Sequence, residues 1–191
     1  MAAKKDTLLN MLVAMFVICV VSGGVLGVVY NATKEPIAAA ETAKKTEAIK
    51  NVLPEFENLK ETSCKSALED VDIPFFLAYD ANNNFIGAAV ETFTNKGFSG
   101  NISLMVGILA DGTVNNISVL QHAETPGLGS KMSEPSFKDQ FNNKHADSFN
   151  FNVKKDGGDV DAITAATISS RAFCDAVNRA ISTFENNKGG F

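Results

Sequence analysis

Four hydroxyl residues fall within seven positions of the stretch "DAITAATISSRAF" (Asp161–Phe173): Thr164, Thr167, Ser169 and Ser170. A hydroxyl in such a place can cap a helix, hydrogen-bond an anion or become the oxygen of an ester. The apolar period that follows predicts a helix beginning near Thr167. A helix start offers unpaired N–H groups and a partial positive charge, worth about 0.3–1 kcal/mol to an anion placed there. Capping by Thr164 or Thr167 explains part of the pattern, but not why the whole string is small and hydroxylic. A second stretch, "HAETPGLGSK" (His122–Lys131), follows a strand pattern. Pro126, Gly127, Gly129 and Ser130 interrupt regular structure there and open backbone N–H groups to a phosphate or a flat ring. A loop of this composition also reads as a plain turn.

The elements that must position these two stretches follow from periodicity. From Leu8 to Tyr30 the chain carries no charge, only Asn10, Ser22 and Tyr30 having polar side chains. About 20 apolar residues at 1.5 Å rise span a bilayer core. The run is longer than a secretory signal, and "IAAA" (Ile37–Ala40) lies well past it, so it reads as an uncleaved anchor. The positive-inside count is nearly balanced between Lys4 and Lys5 on one side and Lys34, Lys44 and Lys45 on the other. Long C-terminal domains translocate largely regardless of charge. The expected layout is a cytoplasmic N-terminus (1–7), a transmembrane helix (8–30), a stalk helix and linker (31–60) and an extracytoplasmic domain (61–191). Gly23 and Gly27 have the GxxxG spacing that permits close helix approach, although Gly is common in membrane helices anyway.

Ala38–Val52 is rich in Ala, Lys and Glu and should be helical up to Pro54. A loop-rich region comes next. "FFLAYD", "ANNN" and "FIGAAVETF" (Phe75–Phe93) then form a hairpin, and "NISLMVGILA" and "TVNNISVL" a second one around Asp111-Gly112. One face of this sheet should be buried and the other polar. Ile168, Ala172, Phe173, Ala176, Val177, Ala180, Ile181 and Phe184 form a helical stripe that packs on it. The fold class is α+β: an antiparallel sheet packed with helices, tethered by one N-terminal transmembrane helix.

Composition removes several functions. Seventeen basic and 22 acidic residues give a net charge of −5 with no basic stripe, so nucleic-acid binding has little support. Cys19, Cys64 and Cys174 lie far apart without a CxxC or CxxCH motif, so this chain alone builds neither an iron–sulfur cluster nor a c-type haem site. His122 and His145 stand in unrelated contexts, and no metal ligand set emerges. A Cys64–Cys174 disulfide outside the cytoplasm and a plain core role for Cys174 are both open.

"DAITAATISSR" resembles the flavinylation motif of FMN-binding domains, Asp-x-x-(Ser/Thr)-Gly-Ala-(Ser/Thr)-x-(Ser/Thr). Asp161, Thr164, Ala166, Thr167 and Ser169 match in register. "HAETPGLG" is similar to the second signature of that domain, and "KGFSG" (Lys96–Gly100) to its Gly-aromatic loop. The resemblance covers Asp80–Ser182, and more weakly the anchor and stalk. One departure is Ala165, where the family usually has Gly: a positive φ at that position would strain an alanine. The overall pattern resembles the G subunit of the Rnf complex, an ion-translocating ferredoxin:NAD⁺ oxidoreductase, and is similar to the longer C subunit of the sodium-pumping NADH:quinone reductase.

The resemblance implies FMN held covalently as a phosphoester on Thr167. It further implies Thr164, Ala166, Ile168 and Ser169 around the phosphate, Glu124, Thr125, Gly127, Leu128 and Gly129 bordering the ring, and Lys131 near its polar edge or the phosphate. Asp161 would serve the flavin transferase or order the loop. No residue is implied as an acid–base catalyst, since such a subunit relays electrons without turning over a substrate of its own. The implied partners are the other membrane and cytoplasmic subunits of the complex and, during maturation, the flavin transferase. The implied location is the bacterial inner membrane, single-pass, with the domain on the periplasmic side. The competing readings are the C subunit of a sodium-pumping reductase, an anchored assembly subunit lacking flavin, and a stand-alone extracytoplasmic flavin reductase.

Overall fold

The computed structural model describes residues 7–66 and 70–191, so Lys4 and Lys5 of the expected cytoplasmic N-terminus lie outside the described residues. Helix α1 runs from Leu8 to Val52. Two compact units divide at Ala43/Lys44. In the first, the helix is long and apolar enough to cross a membrane, and its apolar side chains between Leu8 and Tyr30 are exposed. The stretch expected to be a separate stalk helix continues this same helix through Pro36. It stops at Val52, two residues before Pro54, as the restriction on residues preceding proline requires.

The second unit, Lys44–Phe191, holds five antiparallel strands in sequential order. They are β1 (Asn58–Lys65), β2 (Asp72–Tyr79), β3 (Phe85–Gly97), β4 (Gly100–Leu109) and β5 (Val114–His122). Both expected hairpins form, β2–β3 and β4–β5. The two are stitched together by a third, in which Gly97 pairs with Gly100 across the tip residues Phe98 and Ser99. A short helix α2 (Pro135–Lys138) and several 3₁₀ turns lead to α3 (Thr167–Asn187).

Helix α3 lies across β3 and β4. Seven of the eight stripe residues are buried, with Phe173, Val177 and Phe184 fully so. They meet Phe75, Val90, Leu104, Val106 and Ile108 from the sheet and Phe137, Phe141 and Phe151 from the segment between β5 and α3. Burial of a Phe or Val side chain contributes roughly 1.5–3 kcal/mol, so this layer dominates the stability of the unit. The exception is Ile168, which is 50% exposed.

The opposite sheet face is not polar, contrary to the alternation argument. Ala78, Ala89 and Met105 are buried there beneath Ala48, Ile49, Val52 and Leu53, the end of α1. Gly107 makes this close approach possible, because a Cβ there would run into the Val52 carbonyl oxygen. The last carbonyls of α1, lacking intrahelical partners, accept side-chain amide donors from the sheet: Asn115 Nδ2 to Val52 O at 2.8 Å and Asn116 Nδ2 to Asn51 O at 3.0 Å. Lys45 adds an ion pair to Glu91 at 2.9 Å.

Strand β1 lies within the region expected to be loops. It is an edge strand, mostly exposed, and "NLKETSCK" carries charges where an alternating apolar face would be sought, as edge strands often do. Cys64 lies on this strand and Cys174 inside the core, both as free thiols. Burial pushes the Cys174 thiol up to about 12, which makes it an inert core residue.

Candidate cofactor-binding site

Three segments converge on a cleft of about 320 Å³, within the usual range for small-ligand sites. The first is the β3–β4 hairpin tip. Gly100 has φ +110°, which allows the two-residue turn and leaves Phe98 projecting, 68% exposed. The second is the loop after β5. Gly127 (φ +76°) turns the chain, its N–H donates to Ser130 Oγ at 2.9 Å, and Leu128 is left 42% exposed at the cleft. The third is the start of α3.

Neither Thr164 nor Thr167 caps that helix. The N-cap position is Ala166, with no side-chain cap bond, and Thr167 is the first helical residue. The structural hydroxyl is Ser170, which accepts from Ile163 N at 2.9 Å and donates to Ala166 O at 3.0 Å. Among the described residues the hydroxyls of Thr164 and Thr167 have no hydrogen-bond partner. The Ala166 carbonyl already takes Ser170 N–H, so the N–H groups of Thr167, Ile168 and Ser169 precede the first intrahelical bond and remain as anion donors.

Glu124 links the three segments. It is 5% exposed; Ser99 N–H donates to its Oε1 at 2.8 Å and Ser169 Oγ–H to its Oε2 at 2.5 Å. Gly129 leaves room for the second bond: a Cβ there would sit 2.5 Å from Glu124 Oε2 and 2.6 Å from Ser169 Oγ.

Ala165 lies on the cleft with φ +61°. This is the left-handed region in which an L-residue with a Cβ is strained, and the strain anticipated for an alanine at this motif position is present. Beyond Ile168 a second depression holds charges that neutralise one another. Arg171 makes two 2.7 Å bonds to Asp156, which hold that carboxyl below its usual range. Lys96 Nζ lies 2.6 Å from Asp175 Oδ1. The positive potential left at the helix start is thus mainly that of its backbone.

Of the residues singled out from the sequence, Thr167, Ala166, Ile168, Ser169, Glu124, Thr125, Leu128 and Gly129 line the cleft, whereas Thr164, Gly127 and Lys131 do not. Phe98 and Ala165 also line it, although neither was expected as a cofactor contact. For Phe98 the signal was an aromatic residue set between glycines in "KGFSG". Asp161 orders the loop ahead of α3: Lys154 Nζ lies 2.7 Å from its Oδ2, and its backbone N–H donates to Gln140 Oε1 at 2.8 Å.

Residues 97–182, which include all three segments, match the family model of the FMN-binding domain. The G subunit of the ion-translocating oxidoreductase complex of Methanosarcina acetivorans is 34% identical over 94% of this chain and 96% of its own length. The chain belongs to the G-subunit family of ion-translocating oxidoreductase complexes. The family member from Aliivibrio fischeri is 35% identical over 93% of this chain and 88% of its own length. The fold is that of the C subunit of the Na⁺-translocating NADH-quinone reductase from Parabacteroides distasonis (TM-score 0.53, 23% identity, 78% of this chain and 83% of that one). It is shared with NqrC of Shewanella oneidensis (TM-score 0.50, 20% identity, 73% and 71%).

Proposed function

We propose that this chain is an electron-transfer, flavin-binding subunit of an ion-translocating oxidoreductase complex of the Rnf type. In this reading Leu8–Tyr30 anchors it as a single span, and the domain, on the periplasmic side, carries FMN as a phosphoester on Thr167. The observation that supports this most is the position of Thr167. Its hydroxyl has no partner among the described residues and stands at the first turn of α3, beside the N–H groups that precede the first intrahelical bond and on the rim of a cleft with apolar walls. With a flavin dinucleotide as donor, attachment would form an oxygen–phosphorus bond at Thr167 Oγ, break the donor's pyrophosphate bond, and release the nucleoside monophosphate and the hydroxyl proton. The resulting diester keeps one negative charge, which the N–H groups of Ile168 and Ser169 suit. Phe98, Leu128 and Ile168, left exposed by the fold, offer the apolar surface that a flat ring would cover.

When bound, FMN supplies one- and two-electron redox chemistry, and the protein contributes binding, orientation and electrostatics. The partners in this reading are the other subunits of the complex and a flavin transferase that loads the domain. Co-expression with such a transferase should yield a chain fluorescent in denaturing gels, retained by Thr167→Ser and lost in Thr167→Ala. Undiminished covalent flavin in Thr167→Ala would sink the assignment. The second reading, an anchored assembly subunit without flavin, draws on the strained Ala165. A native chain of unmodified mass would favour it.

A further inference from the structure

We infer that Glu124 sets the reduction potential of the flavin bound in this cleft, an inference that rests on the reading of the site as a flavin site. Glu124 is the acidic side chain on the cleft wall, and it is buried. Both of its oxygens accept bonds from neutral donors, Ser99 N–H and Ser169 Oγ–H; among the described residues Lys96 and Arg171 pair with other carboxylates, and His122 Nδ1 meets only the backbone N–H of Glu124. A carboxylate held this way is fixed in position and shielded from solvent screening, so its field acts at close range on whatever occupies the cleft. Reduction adds electrons to the ring and builds negative charge on it. The carboxylate opposes that charge and lowers the potential.

The same geometry gives Glu124 a positioning role, because it joins the hairpin tip carrying Phe98 to the first turn of α3 that carries Thr167. It also commits the proton of Ser169. That hydroxyl is turned towards Glu124 and away from an anion at the helix start, leaving the anion to the backbone N–H groups. Charge and positioning are separable by substitution. Glu124→Gln keeps the length and one accepting oxygen for Ser99 N–H, while its amide N–H faces Ser169 Oγ, which can accept. Glu124→Asp keeps the charge but withdraws it by one methylene.

The test is an equilibrium titration with dithionite of the full-length chain, purified in detergent after co-expression with a flavin transferase, and performed on wild type, E124Q and E124D. The expected result is a midpoint potential shifted positive in E124Q and at or near the wild-type value in E124D. An unchanged or more negative potential in E124Q overturns the inference. Should E124Q not fold, E124A decides in its place: a positive shift supports the inference, and an unchanged or more negative potential overturns it. Because the titration reads bound flavin however it is attached, failure of the attachment reading shows up separately, as covalent flavin surviving Thr167→Ala.

Discussion

Replacing Ala165 by glycine should stabilise this protein, although the same exchange elsewhere in the domain should harm it. Ala165 sits at φ +61° and is exposed, so its methyl contributes little burial while its Cβ crowds the following carbonyl. A left-handed L-residue costs roughly 1–2 kcal/mol. Glycine removes that cost but gives back roughly 0.4–1 kcal/mol through the greater freedom of the unfolded chain. The net expectation is a gain of about 0.5–1 kcal/mol, or a melting temperature raised by about 1–4 °C for a unit of this size. The assay is thermal unfolding of the detergent-solubilised chain followed by circular dichroism, with Ala172→Gly as the internal control. Ala172 is fully buried within α3, and glycine there should cost at least about 1 kcal/mol in helix propensity alone. Ala165→Val completes the set and should destabilise, because a β-branched residue at positive φ is an outlier. A melting temperature for Ala165→Gly at or below wild type would refute the strain argument.

Two further predictions follow from packing and charge. Gly129→Ala places a methyl on the Glu124–Ser169 contact; it should cost roughly 1–3 kcal/mol as overpacking, read as a lower urea midpoint, and should also reduce flavin loading. Asp175 is partly desolvated, which raises its pKa, but the bonds from Lys96 and Thr94 and the charges of Lys96 and Arg179 outweigh this and hold it below its usual value. A lowered folded pKa means that the stabilisation is present above the unfolded value of about 3.9 and is lost as pH falls through the folded one. Asp175→Asn should therefore be less stable than wild type at neutral pH, with a shallower loss of stability below about pH 4; parallel curves across that window would contradict the assignment.

What the sequence disclosed depended on whether a signal was local. The α3 stripe, the β2–β3 and β4–β5 hairpins and the apolar run of Leu8–Tyr30 all follow from a single period within one segment. Strand β1 escaped because an edge strand shows its charges, and the second buried face escaped because Ala89, Met105 and Gly107 become core only once the end of α1 lies on them. The site divides in the same way. Thr167 and the glycine loop were visible as motifs, whereas the Glu124–Ser169 bond joins residues 45 positions apart and has no local trace. Cap assignment failed for a related reason: Ser170, Thr167 and Thr164 are equally plausible hydroxyls in a one-dimensional string. Only the fold shows that Ser170 is the one spent on Ile163 and Ala166, while the other two have no partner among the described residues.

The central claim is that Thr167 carries the flavin, and peptide mapping tests it most directly. The chain is isolated from membranes of cells that also make the flavin transferase and digested, and the fragment holding Thr164–Arg171 is fragmented in a mass spectrometer. The expected fragment is heavier by FMN less one water, with the added mass on Thr167 and on none of Thr164, Ser169 and Ser170. An unmodified fragment from a fully matured preparation, or the mass placed on a neighbouring hydroxyl, would contradict it.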